Sequence, residues 1–148
     1  MGWVVFLGTY EKQLDGKRRL QIPQEFRTAA TGAEHGVFCL LSLTDDCLEA
    51  GGDALSALYL ERIEALPFGS AQRDALEETF YGGQRALTYD IGGRIVLPES
   101  LCRDAGLTDN VVIVGKGKRF QIWDRARWQE RRAPVRALAR DTLMGEGA

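Results

Sequence analysis

The sequence predicts an α+β fold made by duplicating one supersecondary unit about an internal pseudo-twofold. Three observations predict it. Residues 14–26, Leu-Asp-Gly-Lys-Arg-Arg-Leu-Gln-Ile-Pro-Gln-Glu-Phe, return at 89–101 as Tyr-Asp-Ile-Gly-Gly-Arg-Ile-Val-Leu-Pro-Glu-Ser-Leu, a spacing of 75. In each copy a short alternating strand runs into a proline that opens a helix. Between the copies lie two runs with apolar residues at helical spacing. Each copy is too small to bury much core alone, so the two are expected to share one.

A first strand ends at Leu14, and a turn covers Gly16 to Arg18. Leu20 and Ile22 alternate with Arg19 and Gln21, giving an inward and an outward face. Pro23 suits the first helical position, with Phe26, Ala29 and Ala30 as the apolar stripe. The unbroken run Val37 to Leu43 reads as a fully buried strand, returning as a hairpin through Leu48 to Ala50. It matches Val111 to Val114, and Cys47-Leu48-Glu49-Ala50 matches Arg119-Phe120-Gln121-Ile122. Asp53 is the predicted N-cap of a helix carrying Leu55, Leu58, Tyr59, Ile63 and Leu66 and stopped by Pro67. A second helix starts at Ser70, carries Ala75, Leu76 and Phe80, and ends near Gly82-Gly83; Gly106 closes the helix of the second copy. Asp124 to about Arg140 is helical in pattern, with Pro134 interrupting it, and its arginines read as a solvated face. The expected organisation is a first half over 1–52, an acidic helical connector over 53–83, a second half over 84–124, and an arginine-rich helix and tail over 125–148.

Composition narrows the function. Of 148 residues, 45% are hydrophobic and 27% charged, as in globular chains. No apolar run approaches the roughly 18 residues of a membrane span. The apolar opening, Met1 to Gly8, lacks the basic start and cleavage site of a secretory signal, and Phe6 stands where a myristoylation signal needs Ser or Thr. The cytosol is the expected compartment. Cys39, Cys47 and Cys102 form no C-x-x-C pair, so no metal or cofactor site is expected; Cys39, among Val37, Phe38, Leu40 and Leu41, reads as a buried thiol. The single histidine, His35, lies in a polar stretch and reads as a solvated loop residue. Without a nucleophile–base pair, an enzyme acting on a small-molecule substrate is not expected.

Charge is unevenly spread. Residues 1–31 hold five Lys/Arg and three Asp/Glu, residues 32–80 hold two and ten, and residues 81–148 hold twelve and eight. The two Asp-x-x-x-Arg turns, Asp15 to Arg19 and Asp90 to Arg94, place an acid and a base across a three-residue turn. An exposed ion pair is worth only about 0–1 kcal/mol, which is a weak reason to use it twice. Lys12, Lys17, Arg18 and Arg19 crowd the first turn, and Arg85 and Arg94 flank the second. Such crowding is relieved by a polyanion, and arginine also reads guanine edges in a major groove wide enough for a two-stranded ribbon. Double-stranded DNA is the expected partner. The alternative is an oligomeric protein-interaction scaffold docking through its acidic segment, without DNA binding.

The residues Asp15-Gly-Lys-Arg-Arg19-Leu-Gln-Ile-Pro23 with Phe26-Arg27 resemble the first half of the MraZ family. Asp90-Ile-Gly-Gly-Arg94-Ile-Val-Leu-Pro98, Leu101, Ala105-Gly-Leu107, Val114-Gly115, Phe120-Gln-Ile-Trp123-Asp124 and Trp128 resemble its second half. The resemblance covers about residues 6–130. It implies a swapped-hairpin, AbrB-like β-barrel with short helices. It also implies a bacterial transcriptional regulator of the division and cell-wall gene cluster and of its own operon, assembled as a homo-oligomeric ring at the nucleoid. Arg19 and Arg94 would contact repeated DNA sites, with Asp15 and Asp90 bracing the loops and Lys17 at the family's basic position. The sequence departs from the pattern at Arg18, where the family usually has Gly; at Gly51-Gly52, in place of an aromatic–Pro pair; and at Ser56, which matches Trp128.

Overall fold

The computed structural model describes residues 5–30 and 35–145. The first four residues of the apolar opening, residues 31–34 before His35, and the last three of the tail lie outside them. In chain order the elements are β1 (Thr9–Gln13), β2 (Arg19–Gln21), α1 (Gln24–Ala29), β3 (Gly36–Leu41), β4 (Leu48–Gly51), α2 (Asp53–Glu64) and α3 (Ala71–Gly83). There follow β5 (Arg85–Thr88), β6 (Arg94–Val96), α4 (Glu99–Asp104), β7 (Asn110–Gly115), β8 (Phe120–Asp124) and α5 (Arg125–Leu143). The fold is α+β, and every strand pairing is antiparallel.

Six strands form one sheet in the order β1-β7-β8-β4-β3-β5, and β2 pairs with β6 in a separate two-stranded ribbon. The first strand of each copy is given to the other copy: β1 pairs with β7, and β5 with β3. Two pairings put repeat-equivalent residues opposite each other, Leu20 with Ile95 in the ribbon and Glu49 with Gln121 between β4 and β8. A pseudo-twofold through both pairs relates the copies. The hydrogen-bonded sheet is open, with β1 and β5 as its edges.

The exchange explains the shared core. Leu20, Ile22, Ile95 and Leu97 are fully buried under the ribbon with Val37, Val111, Ile113 and Ile122 from the sheet. Phe26 packs edge-on against Phe6 and Tyr10 and tilted against Phe120, with ring centroids 5.1–5.3 Å apart. Such aromatic pairs add about 0.5–1.5 kcal/mol beyond the area they bury. Leu40, Leu55, Ile63 and Phe80 form a second cluster that seats α2 and α3 on β3.

Several local expectations are met and several corrected. Ser70 caps α3, its hydroxyl accepting from the Arg73 amide, and Cys39 is buried; Cys47 and Cys102, for which the sequence predicts nothing, are buried too. His35 is exposed and adopts φ 65°. Asp53 is the first residue of α2 and Gly52 holds the cap position, so its carboxylate acts on the helix dipole from inside the first turn. Pro23 and Pro98 likewise stand at N-caps, one place earlier than expected, with ψ near 140°. The buried strand β3 ends at Leu41; Leu41 and Leu43 are exposed because the chain already turns toward Cys47, whose carbonyl accepts from the Ser42 amide. Pro134 does not interrupt the last helix, which runs unbroken to Leu143. Proline there removes one amide donor, and the continuous helix absorbs that loss on a solvent-exposed element.

Candidate nucleic-acid interface

Each Asp-x-x-x-Arg segment is a three-residue hairpin loop built the same way. The amide of Arg18 donates to the Asp15 carbonyl, and that of Gly93 to the Asp90 carbonyl, both at 3.0 Å. The fourth residue of each turn is left-handed, Arg18 at φ 59° and Gly93 at φ 81°. Asp15 Oδ1 accepts the amides of Lys17 and Arg19, and Asp90 Oδ1 those of Gly92 and Arg94, all at 2.9 Å. The second carboxylate oxygen of each aspartate accepts from its arginine's Nε. Asp suits this place because a short carboxylate folds back onto amides two and four residues on.

This bracing fixes both arginines while engaging only Nε. Among the described residues, Nη1 and Nη2 of Arg19 and Arg94 donate to no partner, and both side chains are about one-third exposed. Two forked donors per arginine therefore stay available on a stem held by its aspartate. The ribbon places the two arginines together. Leu20 and Ile95 face the core, so Arg19, Gln21, Arg94 and Val96 share the outer face. Arg19 stands opposite Val96 and Arg94 opposite Gln21, making the arginines diagonal neighbours about 7–8 Å apart at the backbone.

The Arg19 amide is the main cause holding the Asp15 carboxyl down at about 2, against an ordinary 3.8; desolvation opposes it next, and the Arg19 guanidinium and Lys17 amide add to the lowering. The Asp90 carboxyl is lowered for the same reason, the Arg94 amide acting most. Because the folded value is depressed, the loop's stabilising contribution is complete above the ordinary pKa and is lost as pH falls toward 2. Carboxyl-carbon NMR is expected to give Asp15 a midpoint near 2. A midpoint at the ordinary value would show that the carboxylate does not hold the loop.

Not all the predicted cations gather at the loop tips. Lys17 is exposed beside Arg19. Lys12 lies within β1 opposite Val111, half-buried on the face shared with Tyr10, so strand geometry sets it back from the turn. Arg18 turns inward, its Nε donating to the Leu97 carbonyl at 3.0 Å. The crowding seen in the sequence is thus largely dispersed.

The position of Arg18 has a structural partner. Its repeat equivalent, Gly93, leaves the space that Arg27 fills: a Cβ there would lie 1.8 Å from Nη1 of Arg27, so a side chain at 93 would displace that guanidinium. Arg27 Nη1 donates to the Ile22 carbonyl at 2.9 Å. Ile22 and Leu97 are repeat equivalents, as are Arg27 and Cys102, and the Cys102 thiol feels the charge of Arg18. One guanidinium therefore sits on the pre-proline carbonyl in each copy. In the first it comes from α1 beside a loop glycine; in the second it comes from the opposite loop beside a small cysteine. The left-handed arginine costs about 1–2 kcal/mol, offset by its charge-assisted bond.

Three residues of this surface were not singled out from the sequence. Gln21 and Val96 follow Arg19 and Arg94 by two, the strand period, which was the available signal; Gln21 Nε2 donates to the Gly92 carbonyl at 2.8 Å. Ile91, at the tip of the second loop, stands fully exposed at 110% of its reference area. Its apolar character gave no hint of this. Among the described residues, no group of three or more His, Cys, Asp or Glu could hold a metal ion, and no helix is long and apolar enough to cross a membrane.

The chain matches the family model described as "MraZ protein, putative antitoxin-like" twice, over residues 5–76 and 80–140. It is 54% identical over 139 residues to the Transcriptional regulator MraZ of Caulobacter vibrioides, covering 94% of this chain and 89% of that protein. The Transcriptional regulator MraZ of Phenylobacterium zucineum is also 54% identical over 139 residues, covering 94% and 87%. That of Xanthobacter autotrophicus is 37% identical over 145 residues, covering 97% and 92%.

Proposed function

Because this chain belongs to the MraZ family, we propose that it is a transcriptional regulator, not an enzyme, that binds repeated sites in duplex DNA through its two Asp-x-x-x-Arg loops. The observation that carries this reading is the pair of braced arginines on one outward ribbon face, with their Nη groups open. A two-stranded ribbon fits the major groove, and a guanidinium can bond guanine O6 and N7 bidentately. Lys17 contributes a phosphate contact beside Arg19. Asp15 and Asp90 position; Arg18 braces the second copy's strand.

The ribbon completes a swapped-hairpin barrel in this reading, supported by β2 lying against β1 and β6 against β5, the two open edges of the sheet. The protein works in the cytoplasm at the nucleoid, as a homo-oligomeric ring. Each ring then presents many ribbons along one DNA, so weak contacts sum through effective concentration. Its targets are its own operon and the division and cell-wall genes that the family resemblance implies.

Fluorescence anisotropy on the DNA upstream of its own coding sequence, beside a scrambled duplex, tests the reading. Affinity is expected to exceed that for the scramble and to fall with salt at a log–log slope of about -0.9 per phosphate contact. Equal binding to both duplexes at every salt concentration would refute it. The scaffold reading would then lead, docking through the acidic α2–α3 pair, where Phe68 is exposed between the helices.

A further inference from the structure

The two ends of the ribbon are equivalent in backbone but not in chemistry. At the first loop the place after the aspartate is Gly16; at the second it is Ile91. A side chain built on Gly16 would meet nothing within 4 Å, so the first loop lacks an apolar tip although it has room for one. Ile91 projects completely into solvent between Asp90 and Arg94, each more than one-third exposed. The second loop holds no lysine and no second arginine that would keep such a side chain solvated.

From this asymmetry we infer that Ile91 reads the C5-methyl group of one thymine in the major groove, giving the second loop a base preference that the first lacks. The inference rests on the DNA-binding reading above. Thymine is the base whose major-groove edge offers an apolar methyl, and branched or small apolar side chains are suited to touch it. An isolated aliphatic side chain ringed by an aspartate, an arginine and two glycines is too small a patch to anchor a protein partner, whose interface cores are broad and depleted in charge. It matches one methyl group. Arg94, braced beside it, supplies the hydrogen-bonding half of the same readout. The bound site is accordingly asymmetric: the two loops of one chain face unlike half-sites, and every repeat is read in one direction.

Thymine-to-uracil scanning tests this, because it removes only the methyl group. The probe is the duplex that the wild-type chain protects from nuclease upstream of its own coding sequence, with each thymine replaced in turn. Wild type is expected to lose affinity about fourfold at one thymine per repeat, the value of one buried methyl group. Ile91→Ala should be insensitive at that position and otherwise bind with the same salt slope; Ile91→Val should keep the sensitivity. Gly16→Ile should create a second sensitive thymine under the first loop. Site-specific binding with a flat scan, or a scan unchanged in Ile91→Ala, overturns the inference while leaving the DNA-binding reading intact. A change in oligomer size for Ile91→Ala in sedimentation velocity overturns it in favour of a contact between copies. Absence of any site-specific binding overturns both readings together.

Discussion

Arg19→Ala is expected to weaken site-specific DNA binding by about 1–3 kcal/mol, roughly ten- to a hundredfold, and to relax base preference under the first loop. Arg94→Ala is expected to act in the same sense but less, because Arg19 has the exposed Lys17 beside it, whereas the second loop holds Arg94 alone. Equal losses would overturn that ranking, and wild-type affinity in both variants would overturn the site. Asp15→Ala separates positioning from charge. It leaves the arginine in place but removes the acceptor of Arg19 Nε and of two loop amides. Affinity should therefore fall although the chain gains a positive charge. Electrostatics alone would predict the opposite sign. Lys17→Ala should weaken binding to target and scrambled DNA alike and reduce the salt slope by about one phosphate contact.

The sequence made the loops legible because turn chemistry is local. An Asp that accepts the amides two and four residues on, followed by an Arg that returns to it, is complete within five residues. The repeat also revealed the duplication, since Leu20 and Ile95, or Ile22 and Leu97, must be apolar in both copies to fill one core. Partner strands were not legible in the same way. That β1 pairs with β7 and not with its own copy depends on which apolar faces meet after both copies have formed. Nor did residue type show where each cation points. By sequence Arg18 is one of four cations crowding the first turn, but a left-handed backbone aims its guanidinium at Leu97. Nothing in residue type marks Ile91, at the tip of the second turn, as fully exposed: hydrophobicity reports burial on average, and an exposed loop tip is where that average fails. Pro134 reads as an interruption because proline opposes helix interiors, yet one missing amide on an exposed helix is tolerated.

Glu49→Ala is expected to destabilise the fold by about 3–5 kcal/mol, because it leaves a network around a buried charge without its acceptor. The carboxylate is almost fully buried. It accepts from Tyr59 Oη at 2.9 Å, Arg119 Nε at 3.0 Å, and Gln121 Nε2 and Ser42 Oγ at 3.3 Å. These donors come from α2, the β7–β8 turn, β8 and the β3–β4 turn, so one side chain ties the helical connector and both copies together. Burial, and then the Glu49 charge, push the Tyr59 hydroxyl up, which keeps it a donor. Duplication made this arrangement possible. Glu49 and Gln121 are repeat equivalents facing each other near the pseudo-twofold, and identical copies would have set Glu against Glu or Gln against Gln. With Glu in one copy and Gln in the other, the pair is an acceptor and a donor, and Gln121 Nε2 donates to Glu49. Gln121 extends the network by accepting from Trp123 Nε1 at 2.9 Å, and Arg131 of α5 stacks on that indole with its carbon 4.2 Å from the ring centre. Urea unfolding should show Glu49→Gln costing less than Glu49→Ala, since an amide oxygen still accepts. Glu49→Leu combined with Arg119→Met should cost less than the sum of the two single changes, because it removes the buried charge with its partner. Strict additivity would mean that Glu49 and Arg119 stabilise the protein independently, and that the network is not the link between its halves.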